Sequence, residues 1–254
     1  KGDIGIKDGK IVSVGKVEES AARTIDANGA LVTPGFVDLH THYDGQVSWD
    51  EVLMPSVNHG TTTVVMGSCG VGFAPVKKED RNKLIDLMEG VEDIPGAALS
   101  EGIQWEWESY PEYLEALSRK ESALDFGSEI PHGALRGYVM GERGASNEDA
   151  TAQDLKEMSA LVQEAIESGS LGFSTSRTLL HKGIDGRHVP GTFAPKDELF
   201  AIAEAVRKGG GGVFQLACEH AEVPEELDWM GELSRKFALP VMFNFSQFDQ
   251  GPTL

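Results

Sequence analysis

The chain has 254 residues, enough for one large domain or two small ones, and its 40% hydrophobic and 25% charged content is that of an ordinary globular protein. With 22 Lys+Arg against 41 Asp+Glu it carries a net charge of −19, which excludes the basic footprint that nucleic-acid binding needs. No apolar run reaches the roughly 18 residues of a membrane span, and two cysteines, Cys69 and Cys218, cannot build a disulfide framework, so a cytoplasmic protein without a membrane or nucleic-acid partner is expected.

Residues 1–33 read as short strands joined by tight turns. Asp3-Ile4-Gly5-Ile6-Lys7 alternates, Asp8-Gly9 is a hairpin signal, and Lys10-Ile11-Val12-Ser13-Val14 answers it; a second turn at Ala27-Asn28-Gly29 precedes Ala30-Leu31-Val32. The chain opens at Lys1, without an initiator Met, in what reads as mid-strand, so a partial small β-sandwich is expected here. From Pro34 the rhythm changes to strand, then helix, repeated. Strands are expected over residues 35–42, 61–68, 124–130 with 135–140, 171–174, 212–218 and 239–245, and helices over 49–58, 79–89, 110–120, 152–168, 196–208 and 225–237. Thr151 is placed to cap the helix from Ala152, and Gly169 and Gly209 sit where C-caps belong. Alternating strands and helices imply a parallel sheet, either open and doubly wound or closed as a (β/α) barrel. An open nucleotide-binding sheet shows a glycine-rich turn after its first strand. Here Leu39-His40-Thr41-His42 follows Gly35-Phe36-Val37-Asp38 instead, which favours the barrel. About six of the eight strands of a closed barrel are legible, so the expected fold is α/β, an incomplete TIM-type barrel over residues 34–254 behind the sandwich of 1–33.

His40 and His42 carry the sharpest chemical signal. Side chains two apart on a strand share a face, so at the end of the first barrel strand both would look into the barrel mouth, where imidazole nitrogen suits Zn²⁺. An isolated pair of this spacing can equally be two unrelated polar residues at a strand end. Cys69, in Gly67-Ser68-Cys69-Gly70 at the end of the second strand, is either a small buried hydrophobe or a thiolate ligand. His181 and His188 lie in the loop 178–192 after the fourth strand, and with Arg177 they could read a substrate carboxylate. His132 fits either a supporting or a packing role, His59 fits a helix end, and His220 reads best as part of a solvated polar turn.

Pro34-Gly35-Phe36-Val37-Asp38-Leu39-His40-Thr41-His42 resembles the first-strand motif of the amidohydrolase superfamily, in which a small β-sandwich precedes that strand. His59-Gly60-Thr61-Thr62-Thr63-Val64-Val65-Met66-Gly67-Ser68-Cys69-Gly70, Pro131-His132-Gly133-Ala134-Leu135-Arg136 and Leu171-Gly172-Phe173-Ser174-Thr175 resemble the N-acyl-D-amino-acid deacylase branch in particular. The resemblance implies metal-dependent hydrolysis of a non-peptide amide bond in a small acylated amino acid. It implies Cys69 as a metal ligand in place of the carboxylated lysine of other amidohydrolases, which residues 171–174 do not offer, and a catalytic aspartate on a final strand outside this sequence. The sequence departs from the branch where metal-binding histidines are expected on strands five and six: Ala217 and Phe245 occupy those positions. One Zn²⁺ on His40, His42 and Cys69 is therefore expected, because a second ion would have to borrow His181, His188 or His220 from loops whose ordering costs entropy. A cyclic-amide hydrolase and an amidohydrolase-fold protein that binds without catalysis are the alternatives.

Overall fold

A computed structural model of the chain describes residues 1–219 and 223–244. The chain divides into two compact units, Lys1–Gly35 and Phe36–Leu254. In the first, β1 (Asp3–Lys7) and β2 (Lys10–Gly15) pair antiparallel across Asp8 and Gly9, whose φ values of 52° and 71° suit a tight hairpin turn. The turn at Ala27 also forms, with Ala30 N donating to Ala27 O at 2.8 Å, but residues 30–32 are not a strand. Within the described residues this unit is thus one hairpin.

The second unit alternates parallel strands with helices. β3 (Phe36–Asp38), β4 (Thr61–Met66) and β5 (Asp125–Ser128) form one parallel sheet; β6 (Ile130–Pro131), β7 (Gly172–Ser176), β8 (Val213–Ala217) and β9 (Val241–Phe243) form another. Strands pair in chain order throughout. The two sheets meet where Glu129 N donates to Met66 O and Leu171 N to Ser128 O, both at 2.9 Å. The helices are α1 (Arg81–Glu92), α2 (Gly96–Gly102), α3 (Tyr110–Ser118), α4 (His132–Met140), α5 (Glu142–Ala145), α6 (Ala152–Glu167), α7 (Lys196–Lys208) and α8 (Val223–Phe237). Ser109 with Glu112, and Thr151 with Asp154, close reciprocal capping boxes at the starts of α3 and α6. α6 buries Met158, Val162, Ala165 and Ile166, and α7 buries Leu199, Ile202, Ala203 and Val206, the helical spacing of one apolar stripe each. These stripes and the fully buried strand residues Val64, Met66, Phe173 and Phe214 belong to one hydrophobic cluster. Among the described residues no helix is long and apolar enough to cross a membrane.

In the second unit three elements differ from expectation. Residues 135–140 belong to α4 rather than to a strand; a short apolar run has no periodicity that separates the two, and the chain turns into a helix directly after Pro131. The segment 49–58 is not a helix but a loop with short 3₁₀ turns at Gln46–Ser48 and Ser56–His59. Pro55 removes a backbone donor there and disfavours helical geometry at Met54. The first strand stops at Asp38, so His40 and His42 lie beyond it and strand parity does not govern where they point.

Candidate metal centre

The centre is built around the turn that ends β4. Gly67 has φ +83°, and a Cβ there would stand 2.1 Å from the Glu129 carbonyl oxygen, so only glycine fits. Cys69 follows at φ 57° and Gly70 at φ +71°, the latter packed on the backbone of Thr175 and Ser176. Side chains of the neighbouring strands clamp this turn. Cys69 N donates to Gln215 Oε1 at 3.1 Å from β8, Gly70 N donates to Ser174 Oγ at 3.0 Å from β7, and Ser174 Oγ in turn donates to Gly67 O. The Cys69 thiol is held rigidly and buried.

His40 and His42 arrive from the loop after β3. Asp38 Oδ1 accepts from His40 N at 3.2 Å, and Thr41 is tied to β4 by its N and Oγ1, both donating to Val65 O, at 2.9 and 2.7 Å. The two imidazoles stand with ring centroids 5.5 Å apart. His40 Nε2 lies 3.1 Å from Cys69 Sγ, and Gln215 Nε2 lies 3.2 Å from His40 Nδ1. One donor atom from each of His40, His42 and Cys69 falls within 4.8 Å of the others.

Two residues absent from the sequence reading complete the surroundings. Glu92, the last residue of α1, brings Oε1 to 3.2 Å from His42 Nε2, though that contact is not aligned as a hydrogen bond. Gln215 bridges Cys69 and His40 as described. His181 joins Cys69 and Glu92 in a second group whose donor atoms also lie within 4.8 Å of one another.

The electrostatics suit a cation. Burial holds His42 down to about 3, with His40 and His181 adding to the effect, and burial lowers His40 as well, so both imidazoles are neutral with a lone pair to offer. Burial pushes Glu92 up to about 7, Asp44 up to about 8 and Glu129 up to about 9, and it raises the Cys69 thiol, on which the charges of Glu92, Asp44 and Glu129 also act. Among the described residues, His42 Nδ1, Glu92 Oε1, Asp44 Oδ2, Glu129 Oε2 and Ser68 Oγ make no hydrogen bond. Acids and a thiol that are protonated in apolar surroundings become ligands or counter-charges once a cation is present. The donor set of two imidazoles and a thiol therefore fits a borderline divalent metal.

The other predicted residues are placed differently. Arg177 is no free fork for a substrate: its Nη1 donates to Thr192 O and Ala194 O at 2.9 Å, and Glu226 faces its Nε and Nη2 at 3.4 Å. It ties down the loop that carries His181 and His188. His181 Nδ1 sits 3.1 Å from Ser176 Oγ. His188 packs its ring on Phe193 and lines an apolar cavity of about 130 Å³ with Leu84, Leu87, Tyr138 and Ile184, away from the two donor groups. His132 is fully buried between Thr175 Oγ1 and Glu198 Oε1, both at 2.9 Å, and Arg136 pairs with the same Glu198. That network fastens α4 to β7 and α7. His59 ends a 3₁₀ turn before Gly60, and Ala217 is buried at the end of β8. His220 and Phe245 lie outside the described residues.

A family model described as "Amidohydrolase family" matches residues 23–251. An uncharacterised protein of Mycobacterium tuberculosis is 34% identical over 219 residues, covering 82% of this chain and 35% of that protein. A D-aminoacylase of Alcaligenes xylosoxydans xylosoxydans is 26% identical over 96% of this chain and 46% of its own length. Among solved structures, the N-acyl-D-glutamate deacylase of Bordetella bronchiseptica, complexed with zinc and a phosphonate mimic of the tetrahedral intermediate, superimposes with a TM-score of 0.69 at 25% identity, over 94% of this chain and 46% of that one. The chain thus spans between about a third and a half of the length of these relatives.

Proposed function

The chain belongs to the amidohydrolase family, and from that premise we propose that the protein hydrolyses the amide bond of an N-acyl-D-amino acid at a zinc ion held by His40, His42 and Cys69. The observation that carries this reading is the convergence of those three donors within 4.8 Å of one another around a turn that only glycine at position 67 permits. With zinc held by His40, His42 and Cys69, the site would offer Lewis acidity toward the acyl carbonyl and would lower the pKa of water there to near 7. The chain's own contribution is positional. Gln215 and Ser174 fix the turn, Thr41 fixes the histidine segment, and burial keeps both imidazoles neutral. His40 Nε2 faces the Cys69 sulfur, so loading the site would release the thiol proton, while a proton on His40 Nε2 would move to Nδ1.

Substrate selection falls to the loop 178–192, with His181 at the metal centre and His188 on the cavity side; Arg177 serves by holding that loop. The general base is the aspartate that the resemblance expects on a further strand. Strands β3 to β9 are read as part of a TIM-type barrel, supported by their parallel pairing in chain order and by the likeness to deacylase structures. Residues 1–33 are read as part of a small β-sandwich. The cytoplasm is assigned as the compartment, since a ligand thiol at Cys69 has to stay reduced.

The test is turnover by the intact protein on N-acetyl-D- and N-acetyl-L-amino acids and on cyclic amides, with elemental analysis alongside. Zinc-dependent release of D-amino acids, lost on chelation and in Cys69→Ala, is the expected result. Zinc-loaded protein that opens only cyclic amides, or that turns over none of the three, would overturn the proposal.

A further inference from the structure

The cavity that His188 lines stands apart from the metal donors. It is enclosed by α1, α4 and the loop between β7 and α7, with Leu84, Leu87, Ala134, Gly137 and Pro190 in its wall and Ile184 at its mouth. We propose that this cavity is a binding site for a small monocarboxylate with an apolar body, whose carboxylate meets the ammonium of Lys77 at the rim. Binding there is independent of which reaction the metal centre performs.

Gly137 keeps the space open. It lies inside α4, its φ is not in the left-handed region, and a Cβ there would meet nothing within 4 Å. Alanine would fit and would favour the helix, so neither backbone conformation nor packing within the chain accounts for this glycine. Gly133, one turn earlier, is different. A Cβ there would stand 2.7 Å from Gly70 O, 3.4 Å from Leu87 Cδ2 and 3.5 Å from Pro190 Cδ, so the floor of the cavity is closed against the turn that carries Cys69. At about 130 Å³ the cavity approaches the roughly 150 Å³ that admits a benzene-sized molecule. Leu84, Ala134 and Pro190 are buried, whereas Ile184 is 57% exposed, an apolar side chain that a bound ligand would cover.

Charge at the rim selects the head group. Lys83 pairs with Asp80 at 2.8 Å, and Arg187 pairs with Asp185 and with Glu142, both at 2.6 Å. Lys77 is half-buried and makes no ion pair among the described residues. Its ammonium lies 5.3 Å from the centre of the Tyr138 ring, which is held in turn by its hydroxyl donating to Glu108 Oε1 at 3.2 Å. Asp86 also makes no ion pair among the described residues, but it is exposed, on the side where Ile184 N donates to its carbonyl at 3.4 Å. A half-buried ammonium has lost part of its hydration, and a carboxylate restores it with a charge-assisted hydrogen bond while the apolar body fills the space over Gly137. Hydrolysis of an N-acyl amino acid releases an acid of this kind, so the reaction proposed above would itself supply a ligand.

The experiment is calorimetric titration of the intact protein with hexanoate and with its neutral counterpart hexanamide. Wild type should bind hexanoate saturably and about 10-fold more tightly than hexanamide, the gain from one hydrogen bond between charged groups. Lys77→Gln should remove that preference and leave hexanamide affinity unchanged. Gly137→Leu should abolish binding of both and melt no lower than wild type, since leucine favours the helix and its side chain enters open space. His40→Ala, which removes a donor from the metal centre, should bind hexanoate as wild type does. No saturable binding in wild type overturns the site, as does binding kept in a folded Gly137→Leu protein. A Gly137→Leu protein that melts below wild type overturns the claim that the space is open. Hexanoate bound no better than hexanamide, or a preference kept in Lys77→Gln, overturns the pairing with Lys77. Binding lost in His40→Ala and kept in Gly137→Leu moves the acid to the metal centre and overturns the cavity site.

Discussion

Gln215 controls which nitrogen of His40 carries the proton, and changing it should change metal affinity in a direction that intuition about conservative substitution does not suggest. The Cys69 backbone N–H can only donate, so the amide end 3.1 Å away must be Oε1. Nε2 then faces His40 Nδ1 at 3.2 Å and makes that nitrogen an acceptor, which leaves the imidazole proton on Nε2, toward Cys69 Sγ. A histidine that binds metal through Nε2 needs its proton on Nδ1, donated to an acceptor. Gln215→Glu supplies acceptors to both Cys69 N–H and His40 Nδ1–H. Gaining one hydrogen bond to a charged group is worth about 1.5–3 kcal/mol, so zinc should bind roughly 10–100-fold more tightly. The metal-free variant should be less stable than wild type, because its new carboxylate is fully buried without a cation. Gln215→Leu leaves Cys69 N–H without a partner at a cost of about 1–3 kcal/mol in the metal-free protein. Competition for zinc against a chromophoric chelator, with thermal melts of the metal-free and zinc-loaded forms, measures both effects. A folded Gln215→Glu protein that binds zinc no more tightly than wild type would refute the tautomer argument.

Gly67→Ala should destabilise the protein by about 2 kcal/mol or more, since its Cβ would meet the Glu129 carbonyl oxygen at a positive φ; urea denaturation matching wild type would mean the turn is not built this way. Asp154 connects the cap of α6 to acid stability. Burial alone would raise its pKa, but hydrogen bonds from Arg143 and Thr151 outweigh that and hold it at about 2, below the ordinary 3.8. Its contribution is therefore present above about pH 4 and is lost as pH falls through 2. Asp154→Asn should cost about 1–2 kcal/mol at pH 6, discounted for the half-exposed Arg143. That gap should narrow as urea melts are repeated toward pH 2, and a gap independent of pH would contradict the assignment.

Some of this protein is written in local sequence. Asp8-Gly9 determines a hairpin because both residues accept positive φ, and Thr151 with Asp154 determines a helix start because the two side chains satisfy each other's backbone donors. The motif around His40 and His42 and the glycine-flanked Cys69 named the three donors of the first group, since ligand chemistry and a turn that requires glycine are properties of a few consecutive residues. Other features needed the tertiary structure. Strand parity was the wrong reason for bringing His40 and His42 together: they lie past β3 and are held by Thr41 on Val65. Arg177 looked like a substrate fork until the loop folded back and its carbonyls used the guanidinium. Glu92 ends a helix and Gln215 sits within a strand, positions where an acid or an amide carries no signal of its own. They reach Cys69 only because parallel strands paired in chain order deliver the ends of β4, β7 and β8, and the helix after β4, to one place. Proximity between residues distant in sequence is a consequence of packing, and no local pattern encodes it.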